Sequence, residues 1–400
     1  MMTGNFNIAI VGGGAAGLLT ACRLVSLGID KIAVIDGNKE MGRKINATGN
    51  GRCNLSNLVA EPEKYYCDDP AFLAKLFSKY DISQILTFIE KDLGIRLAYK
   101  DGLVYPATYK AETVTEALLD YCNDGGVKFV NNFKVTQCKH LYGRFMLNND
   151  ITATNLLVSA GGTASPKFGT DGSSYKIYES FAKPEDFAEP VPSLVQFKTL
   201  ESDTRKLNGS RYDCSVSLVT ANDTLATENG ELMFTNYGVS GICAMNLSGK
   251  FGRYTKETGK DVYLSINFMP KCNVEEEVKF RLEKFTKRTP REALAGMLSA
   301  DLLDVILARA QNDKDRIPEI IKNFRLKVMG TMGFDHAQVT SGGLKLSSIN
   351  ENMELKSTPG LFSAGEVINV DGPCGGFNLH WAWVSAFAAA DGIAAAIKNG

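Results

Sequence analysis

Four hundred residues exceed what a single hydrophobic core usually supports, so two or three domains are expected. Hydrophobic content of 44% with 22% charged residues is ordinary for a water-soluble globular chain, and a net charge of −1 gives no general field to draw in nucleic acid or an anionic membrane. Nine cysteines without a Cys-x-x-Cys pair, and only three histidines, argue against a zinc site or a disulfide framework; no metal is expected, and reduced thiols suit a cytoplasmic setting.

The first element is Asn7-Ile-Ala-Ile-Val11, a continuous apolar run of the kind that forms a parallel strand buried on both faces. Gly12-x-Gly14-x-x-Gly17 follows it, then small and apolar residues at helical spacing to Leu27, then a second buried strand from Lys31 to Asp36. One βαβ unit is predicted. Its glycines stand where a dinucleotide fingerprint must: Gly12 for a tight turn, Gly14 for close backbone approach to a pyrophosphate, Gly17 for packing of helix on strand. Ala15 and Ala16 begin the helix, whose free N–H groups and positive dipole end face the phosphates. Asp36 closes the second strand, where a carboxylate accepts from adenosine ribose hydroxyls and repels a 2′-phosphate; a solvated turn aspartate is the alternative. No second fingerprint follows, so one dinucleotide is expected, FAD or NAD rather than NADP.

The next stretch, Gly42-Arg43-Lys44 through Thr48-Gly49-Asn50-Gly51-Arg52-Cys53-Asn54 to Asn57, is polar and glycine-rich and lacks either secondary-structure period, so it reads as a loop. Arg43, Lys44 and Arg52 among glycines suit a loop wrapping an anionic cofactor, with an exposed basic loop as the alternative. Pro70 to Cys122 is mostly helix-periodic. Val127 to Val158 resembles a short meander, with Lys134-Val135-Thr136 as one of its strands, and returns to an apolar strand before Ala160-Gly161-Gly162.

Residues 193–271 alternate apolar and polar in short runs and predict an antiparallel sheet or barrel, and 272–339 are charged and helix-periodic, broken at Pro290 and near Pro318. An α/β pattern over 1–192 therefore resumes over 340–400 after a β block and an α block. The expected architecture is a Rossmann-type domain split in sequence, carrying an inserted β-barrel and an inserted helical domain. The basic residues Lys279, Arg281, Lys284, Lys287, Arg288 and Arg291 alternate with glutamates and read as a solvated, salt-bridged face, so no nucleic acid is expected; an RNA- or partner-binding insert is the competing reading.

Near the end, Gly360 to Gly365-Glu366 reads as an apolar strand ending in glycine and acid. Cys374-Gly375-Gly376-Phe377-Asn378 then opens a helix to Lys398, a second glycine turn at a positive helix end; an ordinary tight turn before a core helix is the alternative. That helix is too short and too weakly hydrophobic to span a bilayer, so no membrane partner is expected.

Together these segments resemble the BaiN/YhiN-like family of bacterial flavoproteins, which includes an aminoacetone oxidase. The likeness lies in Gly12 to Gly17, in Gly42-Arg-Lys through Gly51-Arg-Cys-Asn-Leu-Ser-Asn, and in Gly365-Glu-Val through Gly375-Gly-Phe-Asn-Leu-His-Trp-Ala-Trp, with Val104-Tyr-Pro106 and Ser341-Gly-Gly343 also matching. The resemblance implies non-covalent FAD. Asp36 would hold the ribose, Gly42 to Asn54 would wrap the cofactor, Ala160-Gly161 would close over it, and Gly365-Glu366 would reach its ribityl-pyrophosphate region. Gly376-Phe377-Asn378 would lie beside the ring, and Val135 is counted in the same set. Asp36 stands where relatives usually carry glutamate.

A flavin performs hydride chemistry itself, so the protein is expected to orient substrate and tune the ring. The expected function is oxidation or reduction of a small organic molecule held between the FAD domain and the barrel, with NAD(P)H as a transient co-substrate in the alternative reading. Cys374 and His380 are the candidate catalytic groups, each with a packing or neutral hydrogen-bonding role as its alternative. Cys53, Trp381 and Trp383 are expected to pack.

Overall fold

The computed structural model describes residues 4–311 and 313–399. They divide into two compact units, one running to Pro190 and resuming at Val339, the other spanning Val191–Gln338. Each has its own buried apolar cluster.

The first unit is built on β1 (Gly4–Val11), α1 (Ala15–Ser26), β2 (Ile32–Ile35), α2 (Ala111–Asp124), β3 (Lys128–Val130), β4 (Cys138–Leu141), β5 (Arg144–Leu147) and β6 (Ile151–Val158). Its sheet runs β3-β2-β1-β6-β5-β4. The parallel core pairs Ile8 with Ile32 and with Asn155, which sets the ends of β1, β2 and β6 level. Ile8, Ala9 and Ile10 are fully buried, as an uninterrupted apolar strand between helical layers must be.

Lys134-Val135-Thr136 is not a strand. The N–H groups of Thr136 and Gln137 donate instead to the Asn148 side chain, at 2.9 and 3.0 Å, so an asparagine takes the place of a neighbouring backbone.

In the second unit β7 (Phe197–Thr199), β8 (Arg211–Val219), β9 (Thr224–Thr235), β10 (Gly238–Ser240), β11 (Tyr263–Asn267) and β12 (Phe324–Thr331) close an antiparallel barrel in the order β7-β10-β9-β8-β11-β12. Cys214, Val216 and Leu218 on β8, with Phe234, Leu264, Ile266 and Phe324, fill its interior in the expected alternation. Helix α3 (Ile242–Thr258) interrupts the β block, where only strands were expected. Its small residues blur the helical period because they sit at close contacts: a side chain at Gly249 would meet Ser193 and one at Gly252 would meet Val191.

Helices α4 (Val274–Lys284), α5 (Pro290–Leu294), α6 (Ala300–Ala310) and α7 (Ile317–Lys322) follow β11, with α5 opened by a Thr289/Glu292 capping box and Pro290 in its first turn. The barrel's sixth strand, β12, falls inside the range 272–339 that the sequence marks as helical. Leu302, Ile306, Ile317 and Ile321 join the same buried cluster as the barrel strands, so barrel and helices share one core.

The first unit is completed by β13 (Leu361–Ser363), parallel to β6, and α8 (Phe377–Asn399). Helix α8 lies against α1, where Thr20 Oγ1 donates to the Ala386 carbonyl at 3.4 Å. Among the described residues no helix is long and apolar enough to cross a membrane. The expected fold class, a split Rossmann-type unit with an inserted barrel and helices, is borne out.

Candidate dinucleotide-binding site

The turn between β1 and α1 is held by contacts that only glycine permits. Gly12 has φ +111°, and a Cβ there would lie 2.5 Å from the Ala160 Cα; a Cβ on Gly17 would lie 2.0 Å from the Gly12 carbonyl oxygen. Gly14 differs. It is the N-cap of α1, no side chain caps the helix, no acid lies in its first turn, and nothing stands within 4 Å of where a Gly14 Cβ would be. An α-helix start with open space before it and no acid in its own first turn is built to receive a phosphate.

Asp36 sits beside this turn. Its Oδ2 accepts from the Gly13 N–H at 2.8 Å, and its Oδ1 accepts from the Asn38 N–H and Nδ2 at 2.8 and 2.9 Å. A carboxylate has about four acceptor positions, so these three bonds leave one for a ribose hydroxyl. The Phe133 N–H donates to the Asp36 carbonyl at 2.9 Å, which brings the segment carrying buried Val135 against the end of β2.

The glycine-rich loop is more ordered than its composition suggests. It forms a short helix, Arg43–Ala47, and a 3₁₀ turn, Thr48–Gly51. Gly42 packs on Thr115, Thr48 Oγ1 donates to the Ile45 carbonyl at 2.7 Å, and Gly49, Asn50, Gly51 and Arg52 are exposed. Arg43 and Lys44 serve the protein: Arg43 donates to Asn38 Oδ1 at 2.7 Å and the Lys167 carbonyl at 3.0 Å, while Lys44 pairs with Glu366 at 2.6 Å. Glu366 also accepts from the Thr340 N–H at 3.0 Å. Cys53 is fully buried, and burial pushes its thiol up to about 11, which leaves it unreactive.

Two further turns meet this region. The Thr340 hydroxyl accepts from the Thr163 and Ala164 N–H groups, at 2.8 and 2.9 Å, and fixes the chain after Ala160-Gly161. Gly365 lies over α1, 2.8 Å separating its would-be Cβ from the Ala16 methyl, and its N–H donates to Ser385 at 2.9 Å.

The turn before α8 is bound to the glycine-rich loop. Gly376 has φ +91° and would meet the Ser56 carbonyl at 2.6 Å through any Cβ; its N–H donates to the Asn54 amide oxygen at 3.1 Å, and Asn57 Nδ2 donates to the Gly375 carbonyl at 2.9 Å. Asn378 accepts from the Gly372 N–H at 2.9 Å and returns a bond to its carbonyl at 2.8 Å, while Tyr65 donates to the Phe377 carbonyl at 2.9 Å.

His380 is 1% exposed, its Nδ1 3.0 Å from Ser56 Oγ, and burial lowers its pKa to about 4. It is neutral, as expected, though desolvation rather than the helix end is the cause. Cys374 is half-buried. Trp381 and Trp383 are buried and donate to the Gly365 and Leu55 carbonyls at 3.2 and 2.8 Å, which ties α8 to both turns.

The residues that sequence reasoning passed over are Asn38, Ser56 and Thr340, each of which holds a nominated residue in place. Ser56 and the neighbourhood of Thr340 lie within the matched motifs; Asn38 carries no signal of its own.

A glycine turn beneath an uncapped helix, closed by a strand-end acid, defines a Rossmann-type dinucleotide-binding protein. The chain belongs to the HI0933-like protein Rossmann domain family, whose pattern matches residues 6–392. It is 30% identical to a 3-dehydro-bile acid delta(4,6)-reductase of Clostridium scindens over 96% of this chain and 97% of that one. It is also 30% identical to a ribosomal RNA dihydrouridine synthase of Haemophilus influenzae, over 95% and 96%. Its fold is similar to that of a 3-ketosteroid delta1-dehydrogenase from Sterolibacterium denitrificans, with a TM-score of 0.51 and 13% identity over 98% of this chain and all of that one. The family resemblance read from the motifs is borne out, and the chain is an oxidoreductase.

Proposed function

We propose that the chain is an FAD-dependent reductase of carbon–carbon double bonds conjugated to a carbonyl, with NAD(P)H as its transient electron donor. The observation that carries the cofactor is the joined site of the first unit: open space at Gly14, a free acceptor position on Asp36, and the Gly375–Gly376 turn bonded to the loop that leaves Gly42. The names of two relatives at equal identity support the reaction. Dihydrouridine is uridine saturated at a ring double bond conjugated to a carbonyl, and a 3-oxo steroid with Δ4 and Δ6 bonds carries the same electron-poor arrangement.

When bound, FAD would supply the hydride that such a bond accepts at its β-carbon, with water as the source of the α-carbon's proton and NAD(P)H as the source of the two electrons. The protein's part is positional. The α1 N–H groups receive the pyrophosphate, Asp36 accepts from the ribose and repels a 2′-phosphate, and Ala160-Gly161 and Gly365 close the sides. The start of α8 offers its positive end to negative charge on the ring. Neutral His380, bound to Ser56, orients the turn and carries no positive charge at neutral pH.

The test is direct. Purified protein is denatured and the released flavin identified, then the holoprotein is mixed anaerobically with NADH or NADPH, followed by a conjugated enone or a uridine-containing RNA. Bleaching by the nicotinamide and recolouring by a conjugated double bond is the expected result. A protein that binds no FAD on reconstitution sinks the cofactor assignment, and a reduced flavin recoloured by oxygen alone sinks the reductase.

A further inference from the structure

The segment from Lys279 to Arg288 holds five basic residues and one acid in a chain of net charge −1. Its sequence suggests an exposed face of compensating ion pairs, and the structure forms them for Lys279 and Arg281 but not for the basic residues that follow. Glu275 pairs with Lys322 at 2.7 Å, Glu277 with Arg281 at 2.6 Å, and Glu292 is bound to the Thr289 cap. Glu283 stands 3.9 Å from Lys279. Among the described residues Lys284, Lys287 and Arg288 have no carboxylate within 4.0 Å, and all three are exposed.

Two of them lie over aromatic rings instead. The Lys284 ammonium is 5.1 Å from the Phe280 ring centre and 5.6 Å from that of Phe285, and the Arg288 guanidinium is 4.4 Å from Phe285. Phe280 is 54% exposed, on a helix whose apolar face is already filled by Val274 and Val278. A large ring in water, beside a helix-end lysine and two cations of the following turn that have no salt-bridge partner among the described residues, has the composition of a surface that stacks bases and neutralises phosphates.

We infer that the outer face of α4 and the turn after it, centred on Phe280, Lys284, Phe285, Lys287 and Arg288, is a binding surface for a single-stranded nucleic acid segment. The rings and the Arg288 plane stack with bases, and the lysines meet the backbone. Charge complementarity selects a polyanion, and the exposed ring selects one with planar groups. This goes beyond the flavin reading and does not depend on it, since every residue invoked lies in the second unit.

The experiment measures anisotropy of fluorescent single-stranded RNA and DNA of one sequence with the flavin-loaded protein, across a series of salt concentrations, with poly-glutamate as a polyanion without bases. A triple variant, Lys284→Gln, Lys287→Gln and Arg288→Gln, should lower the slope of log affinity against log salt by about 1.4, as two lost lysine–phosphate contacts on a single strand require, and should weaken binding further through the lost Arg288 stack. Phe280→Ala should weaken binding about tenfold with the slope unchanged, the signature of a lost base stack. The RNA and DNA arms identify which nucleic acid is preferred, and tight binding of either supports the surface. Absence of binding at low salt, an unchanged slope in the triple variant, an unaffected Phe280→Ala, or poly-glutamate binding as tightly as RNA would each overturn it. These residues are exposed, so melting temperature and flavin content should match the parent in every variant.

Discussion

Gly14 and Gly17 differ by three positions and by the direction their missing side chains face. A Cβ at Gly14 meets open space, whereas one at Gly17 runs into the Gly12 carbonyl. Gly14→Val should therefore fold, its stability within about 1 kcal/mol of the apoprotein because only a poorer helix cap results, yet retain no flavin. Gly17→Ala should lower stability by about 3 kcal/mol through overpacking. Flavin content and thermal melting of the two apoproteins separate the cases, and normal flavin occupancy in Gly14→Val would contradict the site. His380 gives a pH dependence at the same scale. Its pKa falls from 6.5 to about 4 on folding, so the unfolded chain takes up a proton that the folded chain refuses between those values. Stability is complete above pH 6.5 and is lost as pH falls toward 4, by up to about 3 kcal/mol. Melting curves across that window should show the loss, and His380→Gln should flatten it.

At the scale of elements, the turn before α8 is a joint between two distant pieces of chain. Asn378 supplies two bonds to Gly372, and Asn54, Asn57 and Ser56 hold Gly375 and Gly376. Asn378→Ala should cost about 2 kcal/mol, about 1 per hydrogen bond. It should also shift the visible spectrum of bound flavin, which a substitution that only destabilised the fold would leave alone. This joint marks the boundary of what sequence can disclose. The β1–turn–α1–β2 unit was legible because strand, glycines and acid are neighbours in the chain, and local chemistry dictates them. Lys44 with Glu366, and Ser56 with His380, lie more than three hundred residues apart, and no local rule joins them. Helix α3 was missed for a different reason. The glycines that let it pack closely also erased the period by which helices are read.

The whole molecule consists of two cores, and the second closes on itself. The Gln338 N–H donates to the Leu194 carbonyl at 3.3 Å, so the second unit begins and ends at one place. A fragment of residues 191–338 should accordingly fold alone, with β-rich circular dichroism and one cooperative melting transition. A fragment without such a transition would show that its core needs the other unit. The sequence located this insert from the change in hydrophobic rhythm. It did not disclose that β12 follows the helices, because closing a barrel is a long-range pairing between edges.

The pairing of β13 with β6 and of α8 with α1 also bears on how the protein is made. Synthesis proceeds from the amino end, so the phosphate-receiving turn leaves the ribosome before Gly365 and α8, which follow only after an entire second core has been translated. Until then α1 lacks the cover of α8 and β6 lacks its partner β13. A chain truncated before Leu361 would lack β13, the Gly365 turn and α8 together, and should be an aggregation-prone polypeptide rather than a weaker enzyme.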